Sequence, residues 1–329
     1  MTQLGRRRLL AAACAIVVVP LASRAQRAGT VRRLGWLGWT GGAGVAPSLA
    51  ALEAFRSGMA ERGWQEGKNL AIETRAGDGV QARSLTAELL QSGIDVIVAM
   101  GPMVFGARAA AGAVPVVFSI NGDPVEAKLV ASLARPGGNL TGVTALSAEL
   151  AGKRLELLKE VAPRTVRIAA IANQAHPGVQ TERDATQAAA LKLGVALQWF
   201  PVYSAADFPK TFEAIARDGA TAIVAIPDNL INQRARDIAG FAAGRRLPAV
   251  SGWAEFAEAG NLLSYGPNLR AYYRRLAVYA DKLLGGAHPA DLPVEQPTEF
   301  ELVVNLKAAK SLGLHVPQSV LLRADRTIA

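Results

Sequence analysis

Histidine and cysteine, the side chains most apt to bind zinc or to pair in nucleophilic catalysis, are few in this chain: His176, His288, His315 and Cys14. They lie far apart, and His176 and His288 each stand beside a proline. There is no Gly-x-Ser-x-Gly elbow and no Cys/His pair with a base in reach, so no nucleophilic catalytic set is expected. A metal centre would need clustered ligands. No catalytic residue, metal or cofactor is therefore expected.

The remaining polar signals suit binding. The stretch GWTGGAG (Gly38–Gly44) is glycine-rich and precedes a helical pattern. Backbone N–H groups at such a start attract anions, which makes Trp39, Thr40 and Gly41 candidates for a ligand carboxylate. Gly101 and Pro102 form a second such turn, and the Ser119 hydroxyl could assist. A plain strand-to-helix turn explains GWTGGAG equally well. A dinucleotide fingerprint fits poorly, because Pro47 replaces the third glycine and Glu73 lies about 30 residues on. Asp228 follows an apolar run and could meet a ligand ammonium or cap the next helix. Asp123, before Pro124, reads first as a turn residue and second as a ligand contact. Of the five tryptophans, Trp39 and Trp253 fall just past strand ends, where two rings could sandwich a flat ligand. Trp36, Trp64 and Trp199 read as packing. Asn121, Asn173 and Tyr265 complete the candidate set.

These residues need a frame to carry them. From Val31 the chain alternates β-rich runs with helical ones. VRRLGWLG, NLAIETR, IDVIVAMG and VPVVFSI read as strands, separated by helices such as Pro47–Trp64 with Leu52, Phe55 and Met59 at helical spacing. The pattern restarts after Gly142 with a helix, then VRIAAIAN, VALQWFPV, ATAIVAIPD, LPAVSG and NLLSYG. Alternation of this kind implies parallel sheets covered by helices, here in two similar halves. Val125–Leu133 reads as a short helix, and RPGGNLTG (Arg135–Gly142) as the segment crossing between halves. Leu269–Gly286 is an amphipathic helix with Leu276, Ala280 and Leu283 inward. TEFELVVNLKAAKSLGL is a closing strand and helix. The expected division is residues 30–142 plus 267–298 for one lobe and 143–266 plus 299–329 for the other.

The first 25 residues read as a removable signal peptide. Arg6-Arg7-Arg8 precedes an apolar run, Leu9 to Val19, and Ser23-Arg24-Ala25 offers small residues at a cleavage site. General and twin-arginine export both fit. Cys14 lacks a lipobox and reads as part of the discarded segment, leaving a mature chain without disulfides. Without Arg6, Arg7, Arg8 and Arg24, 32 basic residues face 27 acidic ones, a net +5 against +9 for the whole chain. The excess is scattered, which argues against nucleic-acid binding.

Gly122-Asp123-Pro124-Val125, LARPGGNLTGV (Leu133–Val143), KRLELLKEVAP (Lys153–Pro163), LLSYGPNLRAYYR (Leu262–Arg274) and ADLPVEQPTEFELVVNLKAAKSLGL (Ala290–Leu314) carry a resemblance. Through them the chain resembles the ABC-transporter substrate-binding proteins of the type I periplasmic-binding-protein fold, a group related to tryptophan- and tyrosine-binding proteins. The resemblance implies two doubly wound parallel-sheet lobes joined by a multi-strand hinge, closing on a small carboxylate-bearing ligand such as an amino acid or aromatic acid. It implies a periplasmic monomer that delivers the ligand to an ABC permease in the inner membrane. An exported nicotinamide-dependent oxidoreductase is the alternative, and a sensor partner using the same closure a third reading.

Overall fold

Two parallel sheets grow from the alternation of β-branched runs with amphipathic helices. The structure, a computed structural model, describes residues 31–40, 49–145 and 147–329. Residues 1–30, on which the signal-peptide reading falls, and Gly41 with the rest of the glycine-rich loop up to residue 48 lie outside them. The first half runs β1 (Arg32–Trp39), α1 (Leu49–Ala60), β2 (Leu70–Gly77), α2 (Ala82–Gln91), β3 (Val96–Met100), α3 (Met103–Ala110), β4 (Val116–Ile120) and β5 (Leu140–Thr144). Its sheet has the order β2-β1-β3-β4-β5, all parallel. Val96 to Ala99 are fully buried, as a strand covered by helices on both faces must be.

The second half runs α4 (Ala151–Val161), β6 (Arg167–Asn173), α5 (Val179–Lys192), β7 (Ala196–Val202), α6 (Phe208–Asp218), β8 (Ala222–Ala225), α7 (Asn229–Gln233), α8 (Ala235–Arg245), β9 (Ala249–Ser251), α9 (Ala254–Glu258) and β10 (Leu263–Pro267). Helix α10 (Leu269–Leu284) then returns to pack on α1. The chain ends with β11 (Phe300–Asn305), α11 (Leu306–Ser311), α12 (Gln318–Leu321) and β12 (Arg326–Ile328). Strands β7-β6-β8-β9-β10 repeat the winding of the first sheet, and β11, antiparallel to β10, extends it to β12. Two doubly wound lobes, as the alternation predicts, are thus present. No described helix is long and apolar enough to cross a membrane.

The structure departs from expectation in three places. Residues 125–133 form successive turns rather than a helix. The segment expected to cross between lobes instead ends in β5, fifth strand of the first sheet. Its Gly142 reads as a linker residue, yet a Cβ there would lie 2.1 Å from Phe118 O. Close approach of β4 and β5 is what calls for that glycine. The run DFPKTFEAIARDG reads as a helix capped by Asp207 and stopped by Gly219, yet Asp207 makes no side-chain capping bond to α6. It completes a capping box with Ser204 at the preceding turn, while Gly219 ends α6 in the left-handed region as expected (φ 74°).

Candidate functional site

The carboxyl ends of β1, β3 and β4 face the loops after β6, β8 and β9 across one cavity of about 520 Å³. This is where doubly wound sheets bind ligands, and the volume falls within the range of small-molecule pockets, roughly 300–1,000 Å³. Its apolar wall is aromatic: Trp36 and Trp39 from β1, Trp253 after β9, and Tyr272 and Tyr273 from α10. The Trp39 ring rests on Gly101, where a Cβ would come within 2.8 Å of it. Trp36 serves both core and wall. It is 4% exposed and packs on Phe55 with ring centroids 5.1 Å apart.

Contacts join the two rims directly. Asn121 Nδ2, at the end of β4, donates to Pro227 O (3.1 Å). Asn229 Nδ2, opening α7, donates to Trp39 O (3.2 Å). Thr181 Oγ1 donates to Glu126 Oε2 (3.3 Å). Gly122 and Gly178 touch backbone to backbone, so that a Cβ on Gly178 would lie 3.0 Å from the Gly122 Cα.

A buried ionic chain backs the second rim. Arg154 of α4 is 1% exposed; its Nε donates to Tyr265 O (2.9 Å) and a guanidinium nitrogen stands 3.8 Å from Glu182 Oε2. Glu182 Oε1 pairs with His176 Nε2 at 2.9 Å, and the Gly178 N–H donates to His176 Nδ1 (3.2 Å). The imidazole therefore reaches the cavity wall with both nitrogens engaged. Asp228 is fully buried: Oδ1 accepts from Ile231 N (2.8 Å), capping α7, and Oδ2 accepts from Asn173 Nδ2 (2.5 Å). Burial raises the Asp228 pKa to about 6, despite the opposing pull of His176 and of both hydrogen bonds. For His176, burial opposes the charged form, but Glu182 and Asp228 outweigh it and hold its pKa above the ordinary value.

Both folded pKa values exceed the unfolded ones, so the fold takes up protons as pH falls and gains stability with them. The Asp228 gap, from about 6 down to 3.8, totals about 3 kcal/mol, roughly half of it available by pH 5. Asp207, Asp218 and Glu295 have lowered pKa values and withdraw stability under stronger acid. The melting temperature is therefore expected to rise from pH 8 to about pH 5 and fall below about pH 4. Scanning calorimetry across that range checks it. Asp228→Asn should flatten the segment between pH 6 and 5, and an unchanged slope would refute the assignment.

Of the candidates read from the sequence, Trp39, Gly101, Ser119, Asn121 and Trp253 meet on the cavity wall. The Ser119 hydroxyl is held there by Tyr272, to whose OH it donates (3.1 Å). Asn173 and Asp228 sit beneath the wall, bonded to each other. Thr40 continues β1, its N–H donating to Gly77 O (3.0 Å), and Pro102 begins the turn into α3; neither lines the cavity. Asp123 accepts from Val125 N (2.7 Å) and Glu126 N (3.3 Å), the turn role. Tyr265 lies away from the cavity, stacked on Phe300 at 6.4 Å. Unforeseen on the wall are Trp36, His176, Glu255 and the start of α10. The Tyr272-Tyr273 doublet was a usable signal, because Tyr272 precedes Leu276 by one helical repeat on the inward face.

Comparison with known proteins points one way. The model of the family described as ABC transporter substrate binding protein matches residues 46–328. A tyrosine-binding protein of Clostridioides difficile is 25% identical over 274 residues, 82% of this chain and 78% of that protein. A conserved domain protein from Vibrio cholerae superposes with TM-score 0.82 at 27% identity, covering 91% of this chain and all of the other. A Streptococcus pneumoniae ABC domain in complex with L-Trp gives TM-score 0.81 at 25% identity, with the same coverage.

Proposed function

The chain belongs to the ABC transporter substrate-binding protein family, and from that premise we propose that it is a periplasmic receptor that closes on an aromatic amino acid and presents it to an ABC permease. It is a binding protein and not an enzyme. The observation that carries the ligand class is the cavity wall: five aromatic side chains from both lobes surround a space of small-molecule size. An indole or phenol ring slotted among them buries apolar area and finds edge and face partners. Relatives that bind tyrosine or carry L-Trp support the same reading. The bonds joining the rims support hinge closure, since ligand contacts to both lobes favour the shut state. The leader-like start of the chain supports export, and the receptor acts as a monomer.

A thermal-shift series tests this. L-tryptophan and L-tyrosine, with leucine and glutamate as controls, should separate clearly, because a ligand that binds the folded state raises the melting temperature by mass action. At 100 times the dissociation constant the gain is about 2.7 kcal/mol, several degrees of melting temperature. Trp253→Ala should weaken the aromatic ligand at least tenfold. If no aromatic amino acid shifts the parent protein, the proposal fails.

A further inference from the structure

Four charged or chargeable side chains reach the cavity wall: Glu53, His176, Glu255 and Arg270. They are not equivalent. Glu53 on α1 and Arg270 on α10 are exposed at the mouth, where water screens them. His176 has both ring nitrogens occupied. Asp228, the carboxylate whose position past a strand suggested an ammonium partner, has both oxygens satisfied by the protein and lines no cavity. Glu255 differs from all of these.

Glu255 stands on α9, two residues past Trp253, and is half-buried. Its side chain lines the cavity and, among the described residues, has no cation paired with it; Oε2 itself is packed out of reach of solvent and lacks a hydrogen-bond partner. Buried polar atoms in native proteins are nearly always paired, and a carboxylate oxygen left without a donor is costly. The surroundings do not compensate for it. Burial raises the Glu255 pKa, contact with its own N–H lowers it, Glu258 and Glu301 raise it, and Arg326 alone among the cations pulls the other way. On the cavity side a neighbouring group is the Tyr273 phenol, itself held neutral by burial and by the nearby Tyr272 phenol and Glu255 carboxylate. What this carboxylate lacks is a counter-charge, and the cavity face of its side chain, beside the aromatic wall, is where a cation can supply one.

We propose that Glu255 holds the protonated amino group of the ligand, so that the cleft takes aromatic α-amino acids and rejects the same molecules without the amino group. The inference rests on the function proposed above and specifies which end of the ligand is read. A site built to pair a charged ligand group discriminates strongly against analogues lacking it, because its half-buried carboxylate is then left without a counter-charge.

Isothermal titration of the full-length protein with two matched pairs decides the matter: L-tryptophan against indole-3-propionate, and L-tyrosine against 3-(4-hydroxyphenyl)propionate. The better-binding amino acid should exceed its deaminated partner at least 100-fold. Glu255→Gln should weaken that amino acid at least 30-fold and change the deaminated acid less than threefold, while Glu213→Gln, exposed on α6 and off the cavity wall, should change neither by more than threefold. A deaminated acid binding within threefold of its parent amino acid would overturn the inference and leave the aromatic receptor intact. Equal weakening of both members of a pair by Glu255→Gln would make Glu255 a structural residue and overturn it too. Absence of heat with all four compounds would overturn the receptor reading and this inference together. The comparison of analogues on the parent protein stands even if the variant does not fold.

Discussion

Arg154→Ala is expected to cost about 3–5 kcal/mol of stability, the usual penalty for removing one partner of a buried ion pair. The side chain is 1% exposed, and Glu182, also 1% exposed, depends on it for compensation. With Arg154 gone, Glu182 keeps a single partner, His176, and its Oε2 has no hydrogen bond. The Tyr265 carbonyl loses its donor in the same step. Urea denaturation measures the loss as a lower midpoint. The double variant Arg154→Met, Glu182→Gln should recover most of it, because an apolar chain of similar length fills the space and no charge remains stranded. A loss below about 1 kcal/mol in the single variant would mean that the chain of charges contributes nothing. Binding should weaken as well, since this chain holds the His176 imidazole that the cavity wall uses.

That ionic chain also marks where the sequence stops being readable. Lobes and winding were legible because each strand and helix announces itself over a few neighbouring residues: Val96–Gly101 by continuous apolarity, α10 by Leu276, Ala280 and Leu283 on one face. The cavity was legible to the extent that strand ends locate it, and Trp39, Gly101, Ser119, Asn121 and Trp253, chosen on that ground, all line it. Arg154, Glu182 and His176 come from α4, α5 and the loop after β6, and nothing local distinguishes a buried arginine in KRLELLKE from a solvated one. A lone histidine beside proline carries no signal until its Glu182 partner is in place. Asp228 was ambiguous for a related reason. A capping carboxylate and a ligand carboxylate look alike after a strand, and only the Ile231 and Asn173 bonds separate them. Glu255 was invisible because α9 is five residues long and its acidic residue matches any exposed helix. Gly142 misled in the opposite sense, since a glycine serving a tight strand contact reads as a linker.

Gly178→Leu is expected to weaken the aromatic ligand about 100-fold by keeping the lobes apart, without unfolding either one. Gly178 has φ −96° and ψ 11°, a backbone that leucine adopts, so the change brings no local strain. Its consequence appears only at closure. A Cβ alone would meet the Gly122 Cα at 3.0 Å and the Gly122 N at 3.3 Å, and the opposing surface is backbone, which cannot swing away. The added isobutyl group must therefore separate the rims, breaking the Asn121–Pro227 and Asn229–Trp39 bonds that span them. If that makes the shut state about 3 kcal/mol less accessible, the competent fraction falls about 100-fold, and apparent affinity falls with it. Titration calorimetry reads the affinity, and small-angle scattering in saturating ligand should show a larger radius for the variant than for the parent. Gly240→Ala, where nothing lies within 4 Å of the new Cβ, should leave both quantities unchanged. Gly178→Ala should fall between, because a few tenths of an ångström can be absorbed by one methyl contact and not by four carbons. Parental affinity in Gly178→Leu would mean that the ligand is held without these rims meeting, and the closure mechanism would have to be abandoned.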